Sequence, residues 1–135
     1  MERRSIEEVV ERWEAQPVFA SQPDDLRVWQ RPGRLSHDPR LLAQLLRSAG
    51  QGALDPVWAQ LGTLSCPVLL TAGENDRRYG TAARKMAERM QNARVRLIPD
   101  AGHAPQLERP QATAELLLEF LDEHLGDGGV VDREA

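Results

Sequence analysis

Cys66-Pro67-Val68-Leu69-Leu70-Thr71-Ala72-Gly73 runs directly into Glu74-Asn75-Asp76-Arg77-Arg78-Tyr79. Its first part is a short, nearly continuous apolar run, the pattern of a strand buried on both faces of a parallel sheet. Cys66 opens that strand and reads as a core residue. A helix from about Thr81 to Gln91 is expected next, with Ala82, Ala83, Met86, Ala87 and Met90 available for burial. Ala93-Arg94-Val95-Arg96-Leu97-Ile98-Pro99 then alternates, which predicts a half-covered strand near the sheet edge. A last helix starts at Pro110 and is expected to pack Leu116, Leu117, Phe120 and Leu121. Strand, helix, strand at this spacing is a βαβ unit, so the fold class is α/β.

A two-stranded parallel sheet is not a stable domain. The strand at Val68–Ala72 needs a neighbour on each side, and the sequence offers one, Arg94–Ile98. Each buried backbone group left unpaired costs about 1–3 kcal/mol. The remaining strands are therefore expected from a partner chain, or from a longer protein of which this is a piece.

Residues 1–62 read differently, as short helices broken by Pro and Gly. Ser5 with Glu8 three residues on forms a capping box, and Ile6, Val9, Val10 and Trp13 follow at the spacing of one helical face. Gln16-Pro17-Val18-Phe19-Ala20 reads as extended or turning. Asp38-Pro39 starts a second helix carrying Leu41, Leu42, Leu45 and Leu46, which stops near Gly50. Asp55-Pro56 starts a short helix through Trp58 and Leu61. Residues 63–125 carry the βαβα pattern, and 126–135, with Gly128-Gly129, read as a frayed, disordered tail.

Composition narrows the classes of function. With 41% hydrophobic and 28% charged residues, the chain reads as a globular protein rather than a disordered one. No apolar run approaches the roughly 20 residues of a membrane span. The start lacks the uninterrupted apolar stretch of a signal peptide, because Glu7, Glu8 and Glu11 break it. The single cysteine excludes an internal disulfide, which makes the reducing cytoplasm the default location. A net charge of −4 without a basic, aromatic-interleaved stripe argues against nucleic acid. No ligand spacing supports a metal, and no cofactor motif is present. Of the 17 basic residues only Lys85 is not Arg. That bias fits a GC-rich genome, or arginines that face an anionic substrate through bidentate contacts.

Open α/β sheets place chemistry at the carboxyl ends of their strands. Gly73–Tyr79 and Asp100-Ala101-Gly102-His103-Ala104-Pro105 occupy those two ends. Asp76 alone reads as a cap of the following helix, and His103 alone as a solvated loop residue. On neighbouring strands they are expected to meet, and an acid that orients a histidine is two-thirds of a relay that activates a nucleophile.

At these residues the chain resembles the C-terminal end of the α/β-hydrolase family. The likeness lies in Pro67 to Asp76, Ile98-Pro99-Asp100-Ala101-Gly102-His103 and Glu108-Arg109-Pro110. The order of triad members in that family is nucleophile, acid, histidine. The resemblance implies that Asp76 is the triad acid and His103 the triad base. Glu11-Arg12-Trp13-Glu14-Ala15-Gln16-Pro17-Val18-Phe19-Ala20, with Leu45-Leu46-Arg47-Ser48-Ala49-Gly50, resembles the helical cap of one subgroup, the 2-succinyl-6-hydroxy-2,4-cyclohexadiene-1-carboxylate synthases of menaquinone biosynthesis. This implies a helical cap over 1–62, a C-terminal core over 63–125, and elimination of pyruvate from a polyanionic substrate. It also implies that Trp13 and Phe19 lie against that substrate; otherwise Trp13 reads as a core anchor. Asp76 to Tyr79 matches the subgroup's Asp-x-x-Phe/Tyr segment.

The departures are equally specific. None of Ser5, Ser21, Ser36, Ser48 and Ser65 sits in a G-x-S-x-G elbow, and the subgroup's substrate-clamping arginines have no counterpart here. The expectation is a C-terminal fragment of an α/β-hydrolase fold lacking the N-terminal half with its nucleophile, inactive by itself. The alternatives are a different α/β-hydrolase, such as an esterase or C–C bond hydrolase, and a non-catalytic lid or interaction module.

Overall fold

The computed structural model describes residues 5–125, and the expected glycine-rich tail at 126–135 lies outside them. Helix α1, Ile6–Glu14, begins as its sequence dictates. The Ser5 hydroxyl accepts the Glu8 N–H while the Glu8 carboxylate accepts the Ser5 N–H, so two otherwise orphaned donors are satisfied. The chain then turns through a short 3-10 helix at Pro17–Phe19.

Helix α2, Asp24–Leu35, has no counterpart in the sequence reading. Pro32-Gly33 near its end is a breaker signal, and proline inside a helix costs about 3 kcal/mol. Tertiary contacts override that preference. The Glu14 carboxylate, only 14% exposed, pairs with the guanidinium groups of both Arg31 and Arg34, and Arg34 also donates to Gln30. One carboxylate thus ties the C-terminal half of α2 to the end of α1. Glu14→Ala leaves two guanidinium groups without this partner and is expected to cost roughly 1–3 kcal/mol. A urea midpoint unchanged from the parent would show that α2 stands without it.

Helix α3, Pro39–Ala49, starts at an Asp38 cap that accepts the Arg40 and Leu41 N–H groups, and ends at Gly50. Its leucine stripe is largely uncovered, with Leu41, Leu45 and Leu46 between 53% and 65% exposed. The expected helix from Asp55-Pro56 is instead a 3-10 helix at Trp58–Thr63. It seats Leu61 in the core and places Arg89 over the Trp58 ring at 5.2 Å.

The second half follows its pattern closely. Strand β1, Val68–Gly73, pairs in parallel with β2, Ala93–Ile98, in the register Val68 with Ala93 through Gly73 with Ile98. Helix α4, Arg77–Ala87, connects them, starting four residues earlier than the apolar spacing alone suggested because Asp76 caps it. Alternation on β2 separates two faces. Leu97 lies beneath Gly80 of α4, while Arg94 and Arg96 on the other face pair with Glu123 and Glu119 of α6, Pro110–Leu125. A four-residue helix, α5, Pro105–Glu108, precedes α6.

Three sequence expectations are corrected here. Cys66 is exposed, not core, because the ladder begins only at Val68, whose N–H bonds the Asn92 carbonyl. Leu117 and Leu121 of α6 are 46% and 44% exposed, whereas Leu116 and Phe120 are half-buried. A helix apolar on several sides meets this sheet with only one of them. The strand expected to be buried on both faces is half-buried at Val68, Leu69 and Leu70 and exposed at Thr71, and among the described residues it has one neighbour.

Candidate active site

The two strand ends are forced together by small residues and backbone bonds. Asn75 N–H donates to the Ala101 carbonyl at 2.9 Å and Glu74 N–H to the Ile98 carbonyl at 2.9 Å, which sews the loop after β1 to the loop after β2. Gly73 makes this approach possible, since a Cβ there would overlap the carbonyl oxygens of Gly102 and Ala101. Asp100 turns the chain out of β2 in the left-handed region, φ 53°. A short polar side chain such as Asp tolerates that conformation better than most residues.

Asp76 and His103 meet across this seam. Asp76 Oδ2 lies 2.8 Å from His103 Nδ1, while its Oδ1 accepts the Tyr79 N–H at 3.0 Å. The helix-cap reading and the histidine-partner reading are therefore both true, one oxygen serving each. The Asp76 side chain is 7% exposed and that of His103 31%. An ionised carboxylate only accepts, so Nδ1 is the donor in this bond, and in the neutral ring Nε2 keeps its lone pair free to take a proton. That is the tautomer a general base needs.

Aromatic rings frame the imidazole. Tyr79 lies 4.7 Å from it, centroid to centroid, and Phe19 meets it edge-on at 5.7 Å and 76°. Trp13 stands 5.7 Å from Phe19, centroid to centroid. Phe19 is buried, whereas Trp13 is 46% exposed among the described residues. The helical N-terminal segment thus reaches the strand ends through Phe19 directly and Trp13 at one remove. Ser21 adds a second contact, its hydroxyl filling the space a Cβ on Gly102 would need.

Glu108 is the site residue that sequence reading passed over. It is buried, and its carboxylate accepts the N–H groups of Gly102 and Ala104 on either side of His103. A buried glutamate five residues after the histidine, in a helix of one turn, leaves no periodic signal; only its place in the Glu108-Arg109-Pro110 match marked it. No group of three or more His, Cys, Asp or Glu among the described residues could hold a metal ion, and no described helix is long and apolar enough to cross a membrane.

A parallel sheet with an acid and a histidine hydrogen-bonded at adjacent strand ends defines a class, and the family model agrees with it. The chain belongs to the alpha/beta hydrolase family, whose model matches residues 2–116. It is similar in particular to the solved MenH from S. aureus, with a TM-score of 0.86 and 34% identity over 90% of this chain and 47% of that one. A Bacillus subtilis (strain 168) protein provisionally named 2-succinyl-6-hydroxy-2,4-cyclohexadiene-1-carboxylate synthase is 31% identical over 122 residues, 88% of this chain and 44% of its own length. The synthase of that name from Serratia proteamaculans (strain 568) is 28% identical over 88% of this chain and 45% of its own. The chain spans about half the length of the relatives it matches.

Proposed function

We propose that this chain supplies the acid, Asp76, and the general base, His103, of an enzyme that eliminates pyruvate to form 2-succinyl-6-hydroxy-2,4-cyclohexadiene-1-carboxylate. The observation that carries this reading is the 2.8 Å Asp76–His103 bond at the ends of two adjacent parallel strands, in a chain similar to synthases of that name. The nucleophile comes from a segment outside these 135 residues, since no serine in them has the elbow pattern. That segment adds its strands along the free edge of β1 and covers the exposed leucines of α6.

The mechanism follows from the tautomer. His103, oriented by Asp76, takes the proton of the incoming serine through Nε2. The serine oxygen then removes a proton from the succinyl-bearing side of the substrate, and the electron pair shifts through the ring to break the C–O bond. Pyruvate leaves as its enolate, which is protonated as the imidazolium gives up the proton that it took from the serine. Asp76 stabilises the imidazolium that forms. Trp13 and Phe19 wall the substrate space on the cap side, and residues 1–62 act as the lid. A cleft of about 410 Å³ between the Gln16–Ser21 turn and the start of α4 has Asp76, Arg77 and Arg78 in its lining. Guanidinium groups there suit the carboxylates of a polyanionic substrate. The lone Cys66 fits work in the reducing cytoplasm.

The test is complementation. The chain is co-expressed with the N-terminal half of a related synthase carrying its G-x-S-x-G elbow, and the complex is assayed on the menaquinone intermediate and on simple aryl esters. Elimination of pyruvate by the complex alone is expected. Turnover by the 135-residue chain without a partner, or ester hydrolysis without elimination, would overturn the proposal.

A further inference from the structure

We propose that Glu108 is a positioning residue for His103, holding the imidazole in register with Asp76 by clamping the backbone on both sides of it. The inference rests on the reading of His103 as the base, and it adds a residue that the acid–histidine pair does not include.

Three observations carry it. Glu108 is 8% exposed, so its carboxylate has little water to satisfy it. Oε2 accepts the Gly102 N–H at 2.7 Å and Oε1 the Ala104 N–H at 3.0 Å, so one oxygen holds the His103–Ala104 peptide and the other the Ala101–Gly102 peptide one residue before His103. Gly102 lies so close that a Cβ on it would sit 3.0 and 3.2 Å from the two carboxylate oxygens, besides overlapping Ser21 Oγ. The backbone at His103 is thus fixed before and after the residue, and the ring is fixed at Nδ1 by Asp76. Three anchors leave the imidazole little freedom to swing out of line.

The residue type matters. Two acceptors are required, and an ionised carboxylate supplies two, whereas an amide supplies one acceptor and one donor. Glu108→Gln must therefore set its NH2 group against one of the two N–H groups. Charge-assisted bonds to a buried carboxylate are also the stronger kind. A residue that only closed the turn of α5 would not need both oxygens. The bonds that form α5 run instead from the Leu107 and Glu108 N–H groups to the Ala104 carbonyl.

The experiment reads the histidine rather than turnover, so its failure is separate from failure of the proposed reaction. In the complex with the complementing N-terminal half, with ¹⁵N-labelled histidine in this chain only, neutral His103 should show a protonated Nδ1 and a free Nε2. Glu108→Gln and Glu108→Ala should shift the tautomer ratio several-fold toward Nε2–H, the form that dominates a free imidazole, while unfolding stays cooperative. A ratio unchanged in a folded variant would overturn the proposal. If neither variant folds into the complex, hydrogen exchange in the unsubstituted complex decides. The Gly102 and Ala104 amides should exchange at least about tenfold more slowly than unbonded loop amides, and unprotected exchange at both would equally overturn it.

Discussion

Asp76→Asn is expected to lower kcat of the complemented enzyme by about ten-thousandfold, the loss seen when a triad acid becomes an amide. The cause is visible in the two bonds that Asp76 makes. Tyr79 N–H requires an acceptor at one side-chain atom, and His103 Nδ1–H requires one at the other. Asparagine has a single carbonyl oxygen. If that oxygen keeps the helix cap, the NH2 group faces Nδ1, which must then give up its proton and accept. The proton moves to Nε2, and the histidine loses the lone pair that would deprotonate the serine. If the amide turns the other way, the cap is lost instead, at a cost of about 1 kcal/mol. The cap bond therefore biases the amide toward the catalytically wrong orientation. Stability should change little while activity collapses, and ¹⁵N spectra should show the tautomer inverted. A variant within tenfold of the parent kcat would sink the assignment of Asp76 as the triad acid.

That dual use of one carboxylate explains why the sequence left two readings of Asp76 open. Cap and catalytic partner are local and long-range statements about different oxygens, and spacing alone cannot separate them. The βαβ unit was legible because its signals are local: the apolar run at Val68–Ala72, the alternation at Arg94–Leu97, and the loops at their carboxyl ends. Helix α2 was not legible, since Pro32-Gly33 argues against it and the Glu14 pairs that hold it join residues 17 and 20 positions apart. Glu108 was illegible for a related reason: its bonds go to backbone groups, which carry no side-chain signature. Cys66 was misplaced by extending an apolar run two residues beyond where the ladder begins. The leucines of α6 were read correctly as apolar, but Leu117 and Leu121 point where no described element covers them. What α6 and the free edge of β1 share is a demand for more structure on the same side of the problem. The relatives, about twice as long, have the chain length to meet it.

Gly73→Ala should destabilise the chain by about 3 kcal/mol, the upper end of the usual cost of overpacking, and should also break the Asp76–His103 bond. The new methyl group would overlap two carbonyl oxygens, those of Ala101 and Gly102. Both are backbone atoms, so no rotamer change relieves the overlap, and one loop must move away from the other. The bonds at risk are Asn75 N–H to Ala101 O and the 2.8 Å contact between Asp76 and His103, since they span the same seam. Gly33→Ala is the control, because nothing lies within 4 Å of the Cβ it would add and the residue sits within α2. There the same methyl group should be stabilising by about 0.5–1 kcal/mol through helix propensity. Urea midpoints for the two variants should move in opposite directions, and the His103 ¹⁵N signals should change only for Gly73→Ala. Equal stability of Gly73→Ala and the parent would mean that the loops yield easily. The acid and the histidine would then owe their geometry to the parts of the site other than this seam, leaving the Glu108 clamp and the aromatic frame of Phe19 and Tyr79 to set it.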